Sequence, residues 1–315
     1  MGTTSPVFIA GAGRSGKTLM RWILSSHPRI VVTRRTDLWP RFFDRFGDLA
    51  EDANLDRCLE AMMARKQITA LGIDPVRLAE DLRAGERSYA RLFALLHEQV
   101  AEAAGKPRWG DQSASIESCA DDVLAAYPGA TFVHLVRDPR DRLAMEFRRE
   151  PRRVGDVGRS TGTWLRSTHL AERNRDRHGD AYLVVRYESL VEHPEETVRG
   201  VCDALGEGFD PAMLRMPDVA RYDEVRAASP EGIGVTAAFV GRYVAELRPD
   251  EVAFIERAAG AEMRRFGYRI DDPRVSAGWR LRAAAARPVN AAAMRGARGA
   301  RLAGAASYGA MEVHA

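Results

Sequence analysis

Lysine is scarce in this chain of 315 residues: among 47 basic residues only Lys17, Lys66 and Lys106 are lysines. The bias reads as genomic, because arginine and lysine differ in consequence only at particular sites. It makes a lysine at a chemically critical position stand out. Cysteine is equally sparse. Cys58, Cys119 and Cys202 are odd in number, far apart and without CxxC spacing, which argues against a disulfide framework and a zinc site. The seven histidines show neither an HExxH motif nor close clustering, so no metal is expected, and no Ser-His-Asp grouping of a hydrolase is recognisable. No apolar stretch is long enough to cross a bilayer, and the N-terminus lacks the pattern of a secretory signal; the default expectation is a cytoplasmic protein without a membrane span. The net charge of +3 hides an asymmetry, since residues 274–315 hold seven arginines and one acidic residue, Glu312. That stretch carries +6 and leaves −3 on the body, which is not the balance of a nucleic-acid binder.

The remaining composition, with 45% hydrophobic residues, suits a full globular core. Pro6 to Gly11 is a short apolar run ending in glycine, and Thr18 to Ser26 has helical spacing with Leu19, Trp22 and Ile23 on one side. His27-Pro28 stops that helix, and a second apolar run follows at Ile30 to Val32. Buried strands are expected again at Thr131 to Val136 and Tyr182 to Val185, each preceded by a helical stretch. This alternation predicts an α/β fold of three α/β/α layers around a central parallel sheet, P-loop NTPase-like, with a helical insertion. The expected division is one domain over 1–273, with the charged insertion at about 38–106, and an Ala/Arg-rich tail over 274–315. The tail reads as short helices or as disordered chain.

Gly11-Ala12-Gly13-Arg14-Ser15-Gly16-Lys17-Thr18 satisfies GxxxxGK[ST], after a strand and opening a helix. Glycines let backbone N–H groups curve around a phosphate, the helix N-terminus adds positive potential, and Arg14 and Lys17 add full charges. Arg14, Ser15, Gly16, Lys17 and Thr18 are therefore the candidate phosphate-binding residues.

The stretch FIAGAGRSGKTLMRWILSSHPRIVV resembles the opening of sulfotransferases that use 3′-phosphoadenosine 5′-phosphosulfate (PAPS), whose loop reads GRSGTTL. YPGATFVHLVRDPRDRLAMEFRR is similar to that family's 3′-phosphate segment, where Arg137 matches its arginine, Met145 stands where it has serine, and Arg149 falls on an arginine of the tyrosylprotein branch. In YLVVRYESLVEHPEETVRGVCDALGEGFDPAML, Tyr187 matches a tyrosine that can contact the nucleotide. The resemblance implies transfer of a sulfuryl group from PAPS, without a metal, to a hydroxyl or amine of a small-molecule or peptide acceptor.

Three positions depart from the family, and they bear on catalysis. Lys17 stands where the family has threonine or serine, and it is the candidate for stabilising charge on the leaving phosphate. The stretch that resembles Glu-Glu-Thr-Arg reads Arg34-Arg35-Thr36-Asp37, which makes Asp37 the candidate general base; it could equally pair with Arg35 or cap the next helix. Gln112 replaces a lysine within Trp109-Gly110-Asp111-Gln112-Ser113. Trp39, Phe42, Phe43 and Phe46 have the spacing of either an acceptor pocket or a core helix face. Two plainer readings stay open: Arg137 as an ion-pair partner of Asp138 or Asp141, and Tyr187 as a core residue. The rival function is a P-loop kinase or NTPase whose magnesium would be held by Asp138; a nucleotide-binding protein without turnover is the other alternative.

Overall fold

The structure, a computed structural model, describes residues 5–215, 235–273 and 276–299. Five strands, β1 (Val7–Ala10), β2 (Ile30–Arg34), β3 (Arg108–Gln112), β4 (Thr131–Val136) and β5 (Tyr182–Arg186), form one sheet in the order β2-β3-β1-β4-β5, every pair parallel. Helix α1 (Lys17–Ser25) carries the chain from the central β1 to the edge strand β2, past the position that β3 fills later.

Alternation along β1 sets the layers. Val7 and Ile9 face one side, where Met20, Ile23 and Leu24 of α1 meet Val133, Leu135 and Leu205. Phe8 faces the other and stacks on Phe132 at 5.2 Å between centroids. A strand buried on both faces must be apolar at successive positions, which is why β1 and β4 read as continuous apolar runs.

The insertion is helical: α2 (Leu38–Phe42), α3 (Asp52–Met63), α4 (Lys66–Thr69), α5 (Pro75–Arg83) and α6 (Tyr89–Ala103). Asp74 caps α5 by accepting from the amides of Val76 and Arg77, and Ser88 caps α6 through the amide of Arg91. These helices bury Leu55, Met62, Leu78, Leu82, Phe93 and Leu96 against the face that carries Phe8, Trp109 and Phe132. Trp39 and Phe42 belong to this core, and Phe43 and Phe46 pack on it. None of the four lines the cleft described below, so the spacing is that of a core face.

After β3 come α7 (Ala120–Ala126), α8 (Pro139–Phe147) following β4, and the long α9 (Asp156–His178) leading to β5. Then follow α10 (Tyr187–Glu192), α11 (Pro194–Leu205), α12 (Ala212–Arg215), α13 (Tyr243–Glu246), α14 (Pro249–Arg265) and α15 (Ala277–Gly299). A third core joins α8, α9 and α14 around Leu143, Trp164, Ile255 and Met263.

Two features differ from the sequence expectation. Strand β3 holds a single large apolar residue, Trp109, and is buried throughout because it lies between β1 and β2. Its polar groups are held locally: Arg108 Nη1 donates to the Leu205 carbonyl at 2.5 Å, and Thr33 Oγ1 donates to Asp111 at 3.0 Å. Residues 277–299, expected as short pieces or disordered chain, form one helix that contains Pro288 and packs along α9. Small residues allow it, because a Cβ at Gly158 or Gly162 would overlap the carbonyl oxygens of Asn290 and Met294. Residues 274–275 and 300–315 of that tail lie outside the described residues.

Candidate functional site

The site begins where β1 ends. Gly16 adopts φ 100° as the N-cap of α1, with no side chain capping the helix. A Cβ there would sit 2.5 Å from the Tyr187 ring, so glycine is needed both for the left-handed turn and for the close approach of Tyr187. The first amides of α1 thus lack a side-chain acceptor, the arrangement that suits an anion. Ser15 is buried at 1% exposure, and among the described residues its Oγ has no hydrogen-bond partner.

A cleft of about 650 Å³ opens over this loop. Arg14, Gly16, Lys17, Thr18, Arg137, Arg149 and Tyr187 all line it, so the structure gathers these expected residues round one space; Ser15 lies beneath the loop. Eight arginines and Lys17 line it against four acidic residues, Glu117, Glu146, Glu150 and Asp156. That surplus fits a polyanion.

Arg137 is not a surface ion-pair partner. It is 4% exposed, and its guanidinium lies 4.2 Å from the centroid of Tyr187. Its Nη2 donates to the Phe239 carbonyl at 2.7 Å and its Nη1 to the Arg14 carbonyl at 3.4 Å, while Nε has no partner among the described residues. The aspartates beside it are engaged elsewhere. Asp138 caps α8 and pairs with Arg140 at 2.7 Å; Asp141 accepts from the amides of Gly241 and Tyr243. Neither lines the cleft, so the magnesium role considered for Asp138 has no geometric support.

Tyr187 is buried at 6% exposure and does double service, covering Gly16 and supporting Arg137. Burial raises its phenol pKa and Arg137 partly offsets the effect. Met145 of α8 lines the cleft, as do Ser160 and Thr163 of α9. Arg142, on the turn before Met145, is 2% exposed; it donates to the Gly13 carbonyl at 2.9 Å and to Ser160 Oγ at 2.6 Å, tying the loop to α9. Burial lowers its pKa against the opposing effect of Glu146.

Lys17 is half-buried and lines the cleft. Burial pulls its pKa below the usual lysine value, opposed by Glu117 and Asp37. Glu117 follows β3, and its carboxyl would be raised by burial, but Lys17 and other neighbours hold it below the ordinary range. Sequence reading missed Glu117 and Arg142. The alternation of charge in DPRDR held a signal for Arg142, while nothing local marked Glu117.

Asp37 stands apart. Its backbone is left-handed at φ 52°, its amide donates to Ser113 Oγ at 2.8 Å, and its Oδ1 accepts from the Ala114 amide at 3.0 Å. Oδ2 pairs with Arg65 at 3.5 Å and Arg41 at 3.6 Å. Its side chain makes no cap hydrogen bond to α2, and it does not line the cleft. Arg35 and Gln112 do.

Sheet order, loop and cleft define an α/β protein of the P-loop-like class with a cationic cleft at the end of β1. Within that class the chain belongs to the sulfotransferase family, whose model matches residues 6–211. A protein-tyrosine sulfotransferase of Drosophila melanogaster is 25% identical over 213 residues, 66% of this chain and 39% of that protein, so the chain spans well under half of that relative's length. Two solved structures share the fold. The sulfotransferase domain of the Synechococcus PCC 7002 olefin synthase superposes with a TM-score of 0.58 at 23% identity, covering 85% of this chain and 98% of that one. The sulfotransferase domain from the curacin biosynthetic pathway gives 0.55 at 19% identity, covering 85% and 99%. Among the described residues no helix is long and apolar enough to cross a membrane.

Proposed function

We propose that the chain transfers a sulfuryl group from PAPS to a hydroxyl or amine of a small-molecule or peptide acceptor. The observation that carries this reading is the convergence of the phosphate loop, Lys17 and the buried Arg137 on one cationic cleft. Arg137 Nε, without a hydrogen-bond partner among the described residues, is a polar atom that a phosphorylated nucleotide would satisfy.

In this reading the loop amides, Arg14 and Thr18 hold the 5′-phosphosulfate side of the donor, and Ser15 supports the loop from beneath. Arg137 and Arg149 hold its 3′-phosphate, and Tyr187 steadies Arg137. Lys17 supplies positive charge where negative charge grows on the leaving phosphate, and positioning by fixed charges is the main source of rate in transfers of this kind. Family membership favours this function over a magnesium-dependent kinase or NTPase.

Calorimetric titration with 3′-phosphoadenosine 5′-phosphate and with ADP, each with and without magnesium, tests the proposal. Metal-independent preference for the 3′-phosphorylated nucleotide is expected. Arg137→Ala should weaken it by at least about tenfold, the loss expected for a charge-assisted hydrogen bond of about 1.5–3 kcal/mol. Preference for ADP with magnesium would move the kinase or NTPase to first place.

A further inference from the structure

We infer that Glu117 takes the acceptor's proton in this chain, a role that Asp37 does not fill; the inference rests on the sulfuryl-transfer reading above. Asp37 is held by the Ala114 amide and by Arg41 and Arg65, away from the cleft lining. Glu117 lines the cleft, is 3% exposed, and among the described residues its Oε2 has no hydrogen-bond partner. It is fixed from the protein side: Asn174 Nδ2 donates to its backbone carbonyl at 2.7 Å, and Ser167 Oγ lies 3.5 Å from Oε1.

A second buried acceptor atom faces the same need. Gln112 also lines the cleft at 7% exposure, and among the described residues its Oε1 has no partner. Phosphate and sulfuryl oxygens cannot satisfy either atom, because they too only accept. The donor that would complete them from the cleft side is an O–H or N–H group, and the acceptor substrate is the reactant that brings one; from the protein side the Glu117 carboxyl is already faced by the Gly11 amide and Lys17. Lys17 is an electrostatic neighbour of Glu117 first and of Asp37 second, and of the two carboxylates Glu117 is the one that lines the cleft.

In the transfer step the acceptor oxygen forms a new bond to sulfur as the bond from sulfur to the donor's bridging oxygen breaks. That electron pair leaves with the nucleotide's 5′-phosphate, and the hydroxyl proton passes to Glu117 Oε2. An amine acceptor gives up an N–H proton in the same way.

Water serves as the probe acceptor. The purified protein is incubated with PAPS, and release of 3′-phosphoadenosine 5′-phosphate and sulfate is followed by chromatography. Glu117→Gln should slow this hydrolysis about 100-fold, the low end of what a general base supplies. Its affinity for 3′-phosphoadenosine 5′-phosphate should be kept or tightened, because a negative charge beside Lys17 has gone. Glu117→Asp retains a carboxylate and should restore part of the rate. Four results overturn the inference: an unchanged rate in Glu117→Gln; rate and nucleotide affinity lost together, the mark of a structural role; loss of hydrolysis in Asp37→Asn alone; and a wild-type rate no faster than buffer. If the wild-type protein does not bind 3′-phosphoadenosine 5′-phosphate at all, the sulfotransferase reading itself falls and takes the inference with it.

Discussion

His134 lies wholly buried on β4, with Nδ1 2.7 Å from the Tyr182 hydroxyl and Nε2 3.1 Å from Ser167 Oγ. Burial holds its pKa down to about 4, against 6.5 for an ordinary histidine. With the folded value depressed, the unfolded chain takes up a proton that the folded one refuses. The stability it underwrites is complete above pH 6.5 and is lost as pH falls toward 4, by up to about 3 kcal/mol. Denaturant unfolding at pH 7 and pH 5 checks this: wild type should lose more stability between the two than His134→Gln, whose amide can keep both hydrogen bonds. Equal losses would mean that His134 does not control the acid limb. The residues of the cleft show where sequence reading stops. Arg14 and Lys17 were legible as site residues because their spacing within one turn is itself the signal. Glu117 was not, because its meaning depends on the end of β3 meeting α1 and α9 in space.

Among the elements, the strands that read clearly were those whose two faces are both apolar. Strand β3 escaped because Arg108, Gly110, Asp111 and Gln112 are polar or small, and their burial is explained only by partners far away in the chain, such as Leu205 and Thr33. Helix α15 escaped for the opposite reason: an Ala/Arg-rich composition resembles disordered chain until the small residues of α9 are placed opposite it. Gly158 has an exact structural demand on it, since the Asn290 backbone occupies the space of a side chain. Gly158→Ala should push α15 off α9 and cost about 1–3 kcal/mol, the usual penalty of overpacking. Calorimetric melting should show a lower Tm, and limited proteolysis should release the C-terminal helix sooner; an unchanged melting curve would mean that α15 contributes little to the fold.

Across the whole molecule the cleft is walled by residues of two packed cores, Leu19 and Trp22 from the core beneath α1 and Phe147 from the core of α8, α9 and α14. Rigid anchoring of this kind is what a site made of fixed charges requires. The scarcity of lysine has a practical consequence within that frame. Lys66 is exposed on the insertion, Lys106 donates to the Ser25 carbonyl, and Lys17 alone lines the cleft, with burial depressing its pKa. A depressed pKa leaves more of the amine unprotonated and nucleophilic, so an acylating reagent small enough to enter should mark Lys17 out of proportion to its exposure. Mass spectrometry of the labelled protein should find 3′-phosphoadenosine 5′-phosphate shielding Lys17 while Lys66 reacts as before. The chain thus carries its own single-site reporter of cleft occupancy, readable before any acceptor is known.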